Sequence, residues 1–407
     1  MQAPTSSYRA ALATPGFGRM TGASLVGRGA EAMLTVVMVL FVLQRYRSPS
    51  LAGLTVFLFV GPGLVLSPVA GALLDRYGRV RLMTLDYALG AVALFAIALL
   101  SLAHSLPAAA LLGLALVGGV TGMLSAAGMR SVVPLVLPEH LWGRGNAIDS
   151  SGYTLTILVG PALGGFMVGV FGPEVAILVA ASLYIAAAMA LIGTAEPGSR
   201  HDDSDEPLLR SALAGVRYVL RHPVLRAIAG SMTTLNIGGG LIVVALPVLV
   251  LGQLHGSSPV VGAMWALQGG GGAAAAFAFG RVRTRGRETR IVVLGLLGSA
   301  VGAATMALAP NLWVLALANL VAGAFIGPLD VTLFGVRQRV TGTRWLGRAI
   351  AISMSLNYFG FPLGSALSGP VVGVAPRLAL AVAAVLTVVS AAIAAAWLRP
   401  TVGPPPD

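Results

Sequence analysis

The sequence predicts an all-α membrane protein with twelve transmembrane helices in two pseudo-symmetric six-helix bundles. Three observations lead to this fold class: the composition, the number of long apolar runs, and a repeat between the two halves of the chain. Of the 407 residues, 57% are hydrophobic and only 10% are charged, and the mean hydropathy is +0.88. A soluble domain carries about 25% charged residues, so this chain could not cover a globular surface in water.

Twelve apolar runs follow one another along the chain, each near the roughly 20 residues that a helix needs to cross a bilayer. Helices are favoured because backbone groups in lipid must be paired internally and the runs lack the alternation of barrel strands. The first run is too long for the apolar core of a signal peptide. The runs fall at 21–44, 50–74, 82–103, 107–129, 150–172, 174–195, 224–251, 258–280, 291–309, 311–336, 350–374 and 376–398.

The positions of the charged residues explain the net charge of +12 without nucleic acid as a partner. All 26 basic residues are arginine. With the N-terminus placed in the cytoplasm, 22 arginines fall in cytoplasmic segments, 3 fall in external loops, and Arg28 lies within the first run. This bias is typical of a multi-pass protein of the bacterial inner (plasma) membrane with both termini in the cytoplasm. Cysteine is absent, which excludes a thiolate metal site.

The two halves of the chain are related in sequence. Residues 143–170 and 347–374 align at a constant offset of 204, and 12 of the 28 aligned positions are identical. Because six spans per copy is an even number, both copies enter the membrane from the same side, as parallel repeats do. We therefore expect an N-terminal bundle at 1–195, a cytoplasmic linker with an amphipathic helix at 196–223, and a C-terminal bundle at 224–407.

The loop after the second run reads GALLDRYGRVR and resembles the signature of the major facilitator superfamily. Val80 alone departs from that pattern, at a position where a basic residue is usual. The resemblance implies the superfamily's fold, alternating access and a conformational gate in this loop. The corresponding loop of the second half, 280–290, has no matching aspartate, so the gate is expected to be asymmetric. The gate residues implied by the resemblance are Gly71, Asp75, Arg76, Gly78, Arg79 and Arg81.

The fifth run contains GPALGG, which resembles the Gly-Pro-x-x-Gly-Gly motif of the superfamily's exporters. Small residues four apart also let helices approach closely, so ordinary helix packing is the alternative. Residues 131–148 and 217–226 are similar to the branch that includes macrolide-efflux and enterobactin-type siderophore exporters. The fourth run lacks the arginine that many drug–proton antiporters carry there, so that role is not assigned. The motif residues are Gly160, Pro161, Gly164 and Gly165.

Ionisable residues inside a membrane cost about 2.5–3.5 kcal/mol each on insertion scales, which makes them functional candidates. Glu31 and Asp330 are candidates for carrying protons, and Arg28 lies on the same helix face as Glu31. The alternative for Arg28 and Glu31 is a structural ion pair, and the alternative for Asp330 is a solvated vestibule residue. Asp86 and Asp149 lie near predicted helix starts and are interpreted as caps or gate partners.

Neutral polar and aromatic side chains within the runs are candidates for lining a substrate cavity, and contacts between neighbouring helices are the alternative for each. The sequence shows no Walker signature and no cluster of catalytic nucleophiles, and the linker is expected to be too short for a soluble domain. ATP, a cofactor and a metal are therefore not expected as partners. The cavity candidates are Asn236, Gln268, Asn319, Asn357 and Tyr358, with Tyr153 and Trp265.

These features predict a proton-coupled exporter, an antiporter that moves a small, partly hydrophobic molecule by rocker-switch alternating access. A drug, a macrolide-like natural product or a siderophore fits a cavity with few charges, and multidrug resistance is an expected phenotype. The expected partners are the substrate, protons and the lipid bilayer, with the protein as a monomer. An uptake symporter on the same fold is the alternative, and a non-transporting membrane receptor or an enzyme is less favoured.

Overall fold

The computed structural model describes residues 7–196, 208–280, 282, 284–341 and 346–398. Within these ranges the chain forms fifteen α-helices and no strand. The contacts divide the chain into two compact units. Unit 1 comprises 1–37 and 58–209, and unit 2 comprises 38–57 and 210–407.

The helices follow the chain in two sets, separated by the segment after residue 196. The first set is α1 (Tyr8–Ala13), α2 (Phe17–Tyr46), α3 (Pro49–Tyr77), α4 (Arg79–Leu102), α5 (Ala108–Thr121), α6 (Met123–Val136), α7 (Trp142–Phe171) and α8 (Pro173–Leu191). The second set is α9 (Leu208–Arg221), α10 (Pro223–Val248), α11 (Ser258–Phe279), α12 (Glu288–Leu308), α13 (Leu312–Val340), α14 (Leu346–Val374) and α15 (Pro376–Trp397). A π-helical turn, Leu249–Gln253, extends α10.

Ten helical segments in the described part of the chain are long and apolar enough to cross a membrane. One of them, Ala108–Met129, combines α5 with the start of α6. The two remaining predicted runs coincide with α11, of 22 residues, and α14, of 29 residues. At about 1.5 Å per residue both are long enough for a hydrocarbon core of about 30 Å. All twelve predicted runs are therefore helical, and the predicted all-α class is confirmed.

Proline and glycine mark several of the helix boundaries. Proline stands in the first turn of α8, α10, α11 and α15, where its missing N–H removes no intrahelical hydrogen bond. Gly78 separates α3 from α4 with φ +95°, and Gly172 separates α7 from α8 with φ +88°. Glycine adopts this left-handed conformation without the strain that a Cβ causes. The span boundaries thus follow from local sequence.

Glycines also set the closest helix crossings, and they do so in the same register in both repeats. A Cβ added at Gly160 of α7 would overlap Ala32 and Met33 of α2. A Cβ added at Gly364 of α14 would overlap the backbone of Ile237 on α10. Gly364 follows Gly160 by 204 residues, and Ile237 follows Met33 by the same 204. The internal repeat therefore extends from sequence to helix packing.

Residues 38–57, which comprise the end of α2, the start of α3 and their connection, pack within unit 2. A Cβ added at Gly53 would overlap the carbonyl oxygen of Ser365 on α14. Gln44 Nε2 donates a hydrogen bond of 3.1 Å to Ser258 Oγ at the start of α11. These contacts join a segment from the first half of the chain to helices of the second half.

Candidate functional site

The predicted gate residues lie at the junction of α3 and α4, where Gly78 alone separates the two helices. Gly78 turns the chain, and Arg79 Nη2 donates to Asp75 Oδ1 across the turn. The Asp75 side chain is 58% exposed, so this ion pair by itself contributes little stability. The Arg76 guanidinium lies over the Tyr77 ring, 5.4 Å from its centroid. Gly71 lies in α3, and Arg81 lies in the first turn of α4.

Glu196 completes this loop, and it is a residue that the sequence analysis did not single out. Its Oε2 accepts a hydrogen bond of 3.1 Å from the Val80 N–H, and its Oε1 accepts one of 2.9 Å from the Arg81 N–H. A carboxylate at a helix N-terminus satisfies free N–H groups and interacts favourably with the helix dipole. A Cβ at Gly78 would overlap this carboxylate. A contact across 115 residues has no local signal in the sequence.

Unit 1 holds an ion pair between α2 and α7. Arg28 Nη1 lies 2.6 Å from Asp149 Oδ1, and the side chains are 13% and 22% exposed. The Arg28 guanidinium also lies 5.7 Å from the centroid of the Tyr153 ring. Asp149, interpreted from the sequence as a cap or gate partner, therefore holds Arg28 across a helix interface. Glu31 is exposed, one helical turn along α2.

Asp86 is buried in α4 and faces the break between α5 and α6. α6 begins after Gly122, and the first N–H groups of a helix generally lack an intrahelical partner. Asp86 Oδ2 accepts a hydrogen bond of 3.1 Å from one of them, the Ser125 N–H. Asp86 is thus a helix cap, but the helix that it caps is α6 rather than its own.

The predicted exporter motif lies where α7 approaches α2. Gly160, Gly164 and Gly165 are buried, and Pro161 stands inside the helix. A Cβ at Gly164 would lie 2.7 Å from the Met33 carbonyl oxygen, so the two helices leave no room for a side chain. The motif therefore permits the close approach of the two helices that also carry the Arg28–Asp149 pair.

Unit 2 contains Asp330 and a buried arginine on α13. Asp330 is exposed, whereas Arg337 is only 5% exposed. Arg337 Nε donates a hydrogen bond of 3.2 Å to Ser353 Oγ on α14. With the amide of Asn357 oriented by its hydrogen bonds, Asn357 Oδ1 accepts from Arg337 Nη2. Asn357, a predicted cavity residue, is therefore bonded to Arg337.

Three other cavity candidates carry buried polar atoms that have no hydrogen-bond partner in the described part of the chain. These atoms are Trp265 Nε1 and Gln268 Oε1 on α11, and Asn319 Oδ1 on α13. A Cβ at Gly323 of α13 would overlap the Gln268 backbone, so these helices cross closely one turn from Asn319. One buried donor and two buried acceptors in α11 and α13 are thus left unsatisfied.

The last cavity candidates differ in their surroundings. Asn236 Nδ2 donates a hydrogen bond of 2.9 Å to the Met232 carbonyl in its own helix. Tyr358 is 40% exposed, and Tyr153 is 38% exposed beside Arg28. Within the described ranges, no group of three or more His, Asp or Glu side chains is placed to hold a metal ion.

Ten helical segments of spanning length and apolarity in the described part of the chain are typical of a multi-pass membrane protein. The sequence matches the family model of the major facilitator superfamily over residues 20–239 and 229–407. The chain therefore belongs to the major facilitator superfamily, as its signature loop predicts. It is a membrane transporter and not an enzyme.

Similar proteins extend this family assignment. The chain is 36% identical over 401 residues to the "Uncharacterized MFS-type transporter y4rN" of Sinorhizobium fredii, covering 98% of each chain. It is 27% identical over 385 residues to "Multidrug efflux pump Tap" of Mycobacterium tuberculosis, covering 92% of this chain and 91% of Tap. It is 26% identical over 325 residues to "Enterobactin exporter EntS" of Shigella boydii, covering 78% and 76%. The predicted resemblance to this branch of exporters is confirmed.

A solved structure shows the same fold. The nucleoside transporter NupG, solved as a mutant, matches with a TM-score of 0.74 over 94% of this chain and 100% of that chain. The sequence identity is 12%, so this likeness concerns the fold alone.

Proposed function

We propose that this transporter exports a small, partly hydrophobic molecule across the bacterial inner membrane in exchange for protons, by rocker-switch alternating access. The observation that carries the proposal is a carboxylate within a spanning helix of each unit: Glu31 in α2 and Asp330 in α13. Ionisable groups in spanning helices are costly, and those that remain face aqueous paths or partners. Both carboxylates are therefore the candidates for taking up and releasing protons during transport.

The outward direction is supported by the relatives and by the motif. Two of the relatives are named as an efflux pump and an exporter, and GPALGG in α7 resembles an exporter motif. One proton entering down about 100 mV supplies about 2.3 kcal/mol. By the 1.4 kcal/mol-per-decade rule this corresponds to roughly 50-fold accumulation of substrate.

The substrate class is inferred from the polar atoms left without partners. Trp265 offers a donor, and Gln268 and Asn319 offer acceptors, among the glycines and apolar side chains of α11 and α13. A molecule with a few hydrogen-bonding groups on an apolar body, such as a macrolide, a lipophilic drug or a siderophore, matches these groups if alternating access uncovers them.

The remaining parts of the proposal follow from the positions of the arginines and of the gate. Both termini lie in the cytoplasm, and the bundles at 1–195 and 224–407 are joined by the cytoplasmic linker at 196–223. The loop around Asp75 and Gly78 is the cytoplasmic gate. The transporter works as a monomer and does not use ATP.

Export from whole cells tests the proposal. Cells expressing the chain are loaded with a panel of macrolides, fluorescent dyes and siderophores, and extrusion is followed with and without a protonophore. We expect protonophore-sensitive extrusion of at least one compound. Combining Glu31→Gln with Asp330→Asn should abolish the pH dependence and reduce extrusion by about tenfold or more, since each lost protonation step removes driving force.

A matched control is Glu139→Gln, because Glu139 is an exposed carboxylate in the short turn before α7. This variant should extrude like the unaltered protein. Net accumulation of a panel compound would overturn the outward direction. Unchanged pH-dependent extrusion in the double variant would overturn the role of the two carboxylates.

A further inference from the structure

Arg337 is a buried cation whose hydrogen-bond partners are neutral. Its side chain is almost fully covered between α13 and α14, and Ser353 and Asn357 accept from its Nε and Nη2. Asn357 Nδ2 in turn donates to the Ser353 carbonyl at 2.9 Å. A buried guanidinium without a carboxylate in contact keeps a large desolvation penalty. This arrangement therefore holds a charge that a nearby carboxylate would stabilise further.

The internal repeat indicates which group is missing. Ser353 and Asn357 lie 204 residues after Asp149 and Tyr153, the two residues that hold Arg28 in unit 1. The pair in unit 1 stands one turn apart on α7, and the pair in unit 2 stands at the equivalent positions on α14. Each pair contacts an arginine from another helix, which is Arg28 of α2 in unit 1 and Arg337 of α13 in unit 2. In unit 1 the first of these positions supplies a carboxylate, whereas in unit 2 it supplies only a hydroxyl.

The carboxylate available to Arg337 is Asp330, seven residues earlier on the same helix. Seven residues correspond to about two turns and about 10.5 Å along the axis, so the two lie on one face. Side chains on a helix lean towards its N-terminus, which directs the arginine towards the aspartate. Of the ion pairs found within the described ranges, none joins these two residues.

We propose that Arg337 is a positioning residue that transmits the charge state of Asp330 to α14. When Asp330 releases its proton, the carboxylate draws the guanidinium along α13 and away from Ser353 and Asn357. When the proton returns, the guanidinium goes back to these two neutral acceptors. One proton thereby makes or breaks a polar link between α13 and α14. This inference rests on the proton-coupled export proposed above and names the residue that couples the proton to helix movement.

Other charged groups near α13 are already paired or lie at helix ends. Glu288 of α12 lies 2.8 Å from Arg339, the second arginine in the last turns of α13. In α10 the charged residue is Arg226, in the first turn, and α12 adds Arg290 near its start. α11 contains no charged residue, and Arg348 is the charged residue of α14, again near its start. Arg337 is therefore the charged group placed to respond to Asp330 within the span.

Labelling with dicyclohexylcarbodiimide tests this coupling without knowledge of the substrate. The reagent reacts with protonated carboxyl groups in apolar surroundings, and mass spectrometry locates the product. The full chain in lipid nanodiscs is labelled over a range of pH, and the midpoint is recorded for Asp330. Arg337→Gln should move that midpoint to higher pH by about one unit, because a cation about 10 Å away is lost. Asn357→Ala should move it to lower pH, because the freed guanidinium pairs with Asp330.

Glu31 provides an internal control in the same molecules, since it lies in the other unit and its midpoint should not change in either variant. Arg337→Lys retains the cation and should keep the Asp330 midpoint within about half a unit of the original. Opposite shifts in the two variants would support the coupling. An unchanged Asp330 midpoint in Arg337→Gln, or shifts in the same direction in both variants, would overturn it. The labelling result is independent of export, so failure of the export assay leaves it interpretable.

Discussion

Arg28 and Asp149 show how two charges are accommodated within the spanning helices of unit 1. Each side chain is mostly covered and lies against the other. Removing one partner strands the other charge, which costs more than removing both. We expect Asp149→Asn to lower the free energy of unfolding by about 1–3 kcal/mol. Thermal melting of the purified protein in detergent measures this change.

Asp75 supplies the control for that experiment, because its carboxylate also contacts an arginine but is 58% exposed. Asp75→Asn should change stability by less than about 0.5 kcal/mol. Similar losses of stability in the two variants would contradict a special role for the pair in unit 1.

The stability of the start of α10 depends on pH through a hydrogen bond of His222. Its Nδ1 accepts a hydrogen bond of 3.4 Å from the Leu225 N–H, which requires the neutral ring. Burial lowers the pKa of His222 below its ordinary value of 6.5, since desolvation disfavours the charged form. The stability from this residue is therefore fully present above about pH 6.5 and is lost as the pH falls through the lowered pKa.

His222→Asn tests this dependence, because asparagine can also cap a helix but does not titrate. Between neutral and mildly acidic pH, the melting temperature of the unaltered protein should fall further than that of this variant. Parallel curves for the two proteins would show that the acid sensitivity arises elsewhere.

At the scale of helices, the α2–α7 crossing depends on the absence of a side chain at Gly160. A methyl group there would overlap Ala32 and the backbone of α2. We expect Gly160→Ala to destabilise the protein by about 1–3 kcal/mol through overpacking. Gly113→Ala in α5 is the control, because a Cβ there has no neighbour within 4 Å. That variant should melt at the same temperature or slightly higher, given the helix propensity of alanine.

The start of α4 depends on the carboxylate of Glu196, in the segment that follows α8. Glu196→Gln weakens the acceptor for the Val80 and Arg81 N–H groups. The loss of a cap costs about 1 kcal/mol, which corresponds to about fivefold faster hydrogen exchange in the first turn of α4. Exchange measured by mass spectrometry on this peptide, with Glu139→Gln as the control, tests the cap. Unchanged exchange at Glu196→Gln would show that the contact adds no protection.

For the whole molecule, the sequence predicts the fold well because the bilayer imposes length and apolarity on every span. The twelve runs, the signature loop and the offset of 204 between the halves are local patterns, and all of them correspond to helices or helix contacts. The boundary between α5 and α6 at Gly122 lies inside the predicted fourth run, which the structure keeps as one segment of spanning length, Ala108–Met129.

The polar contacts are predicted less well, because they join residues far apart in the chain. An ion pair of Arg28 with Glu31, three residues away, was one of two alternatives from the sequence, and the structure places Asp149, 121 residues away, against Arg28. The contacts of Arg337 with α14 depend on the rotation of two helices about their axes, which hydrophobic patterning leaves open. Ionisable residues are thus recognisable in a sequence, whereas their partners require the packed structure.

The packing of residues 38–57 within unit 2 has a consequence for biogenesis. Gly53 meets Ser365, so 312 residues must be synthesised between the two contacting positions. At about 5–20 residues per second, the ribosome needs about 15–60 s to supply that partner. During this interval the surface around Gly53 lacks the contact that α14 later provides. The last helices to leave the ribosome therefore complete the packing of helices made near the beginning.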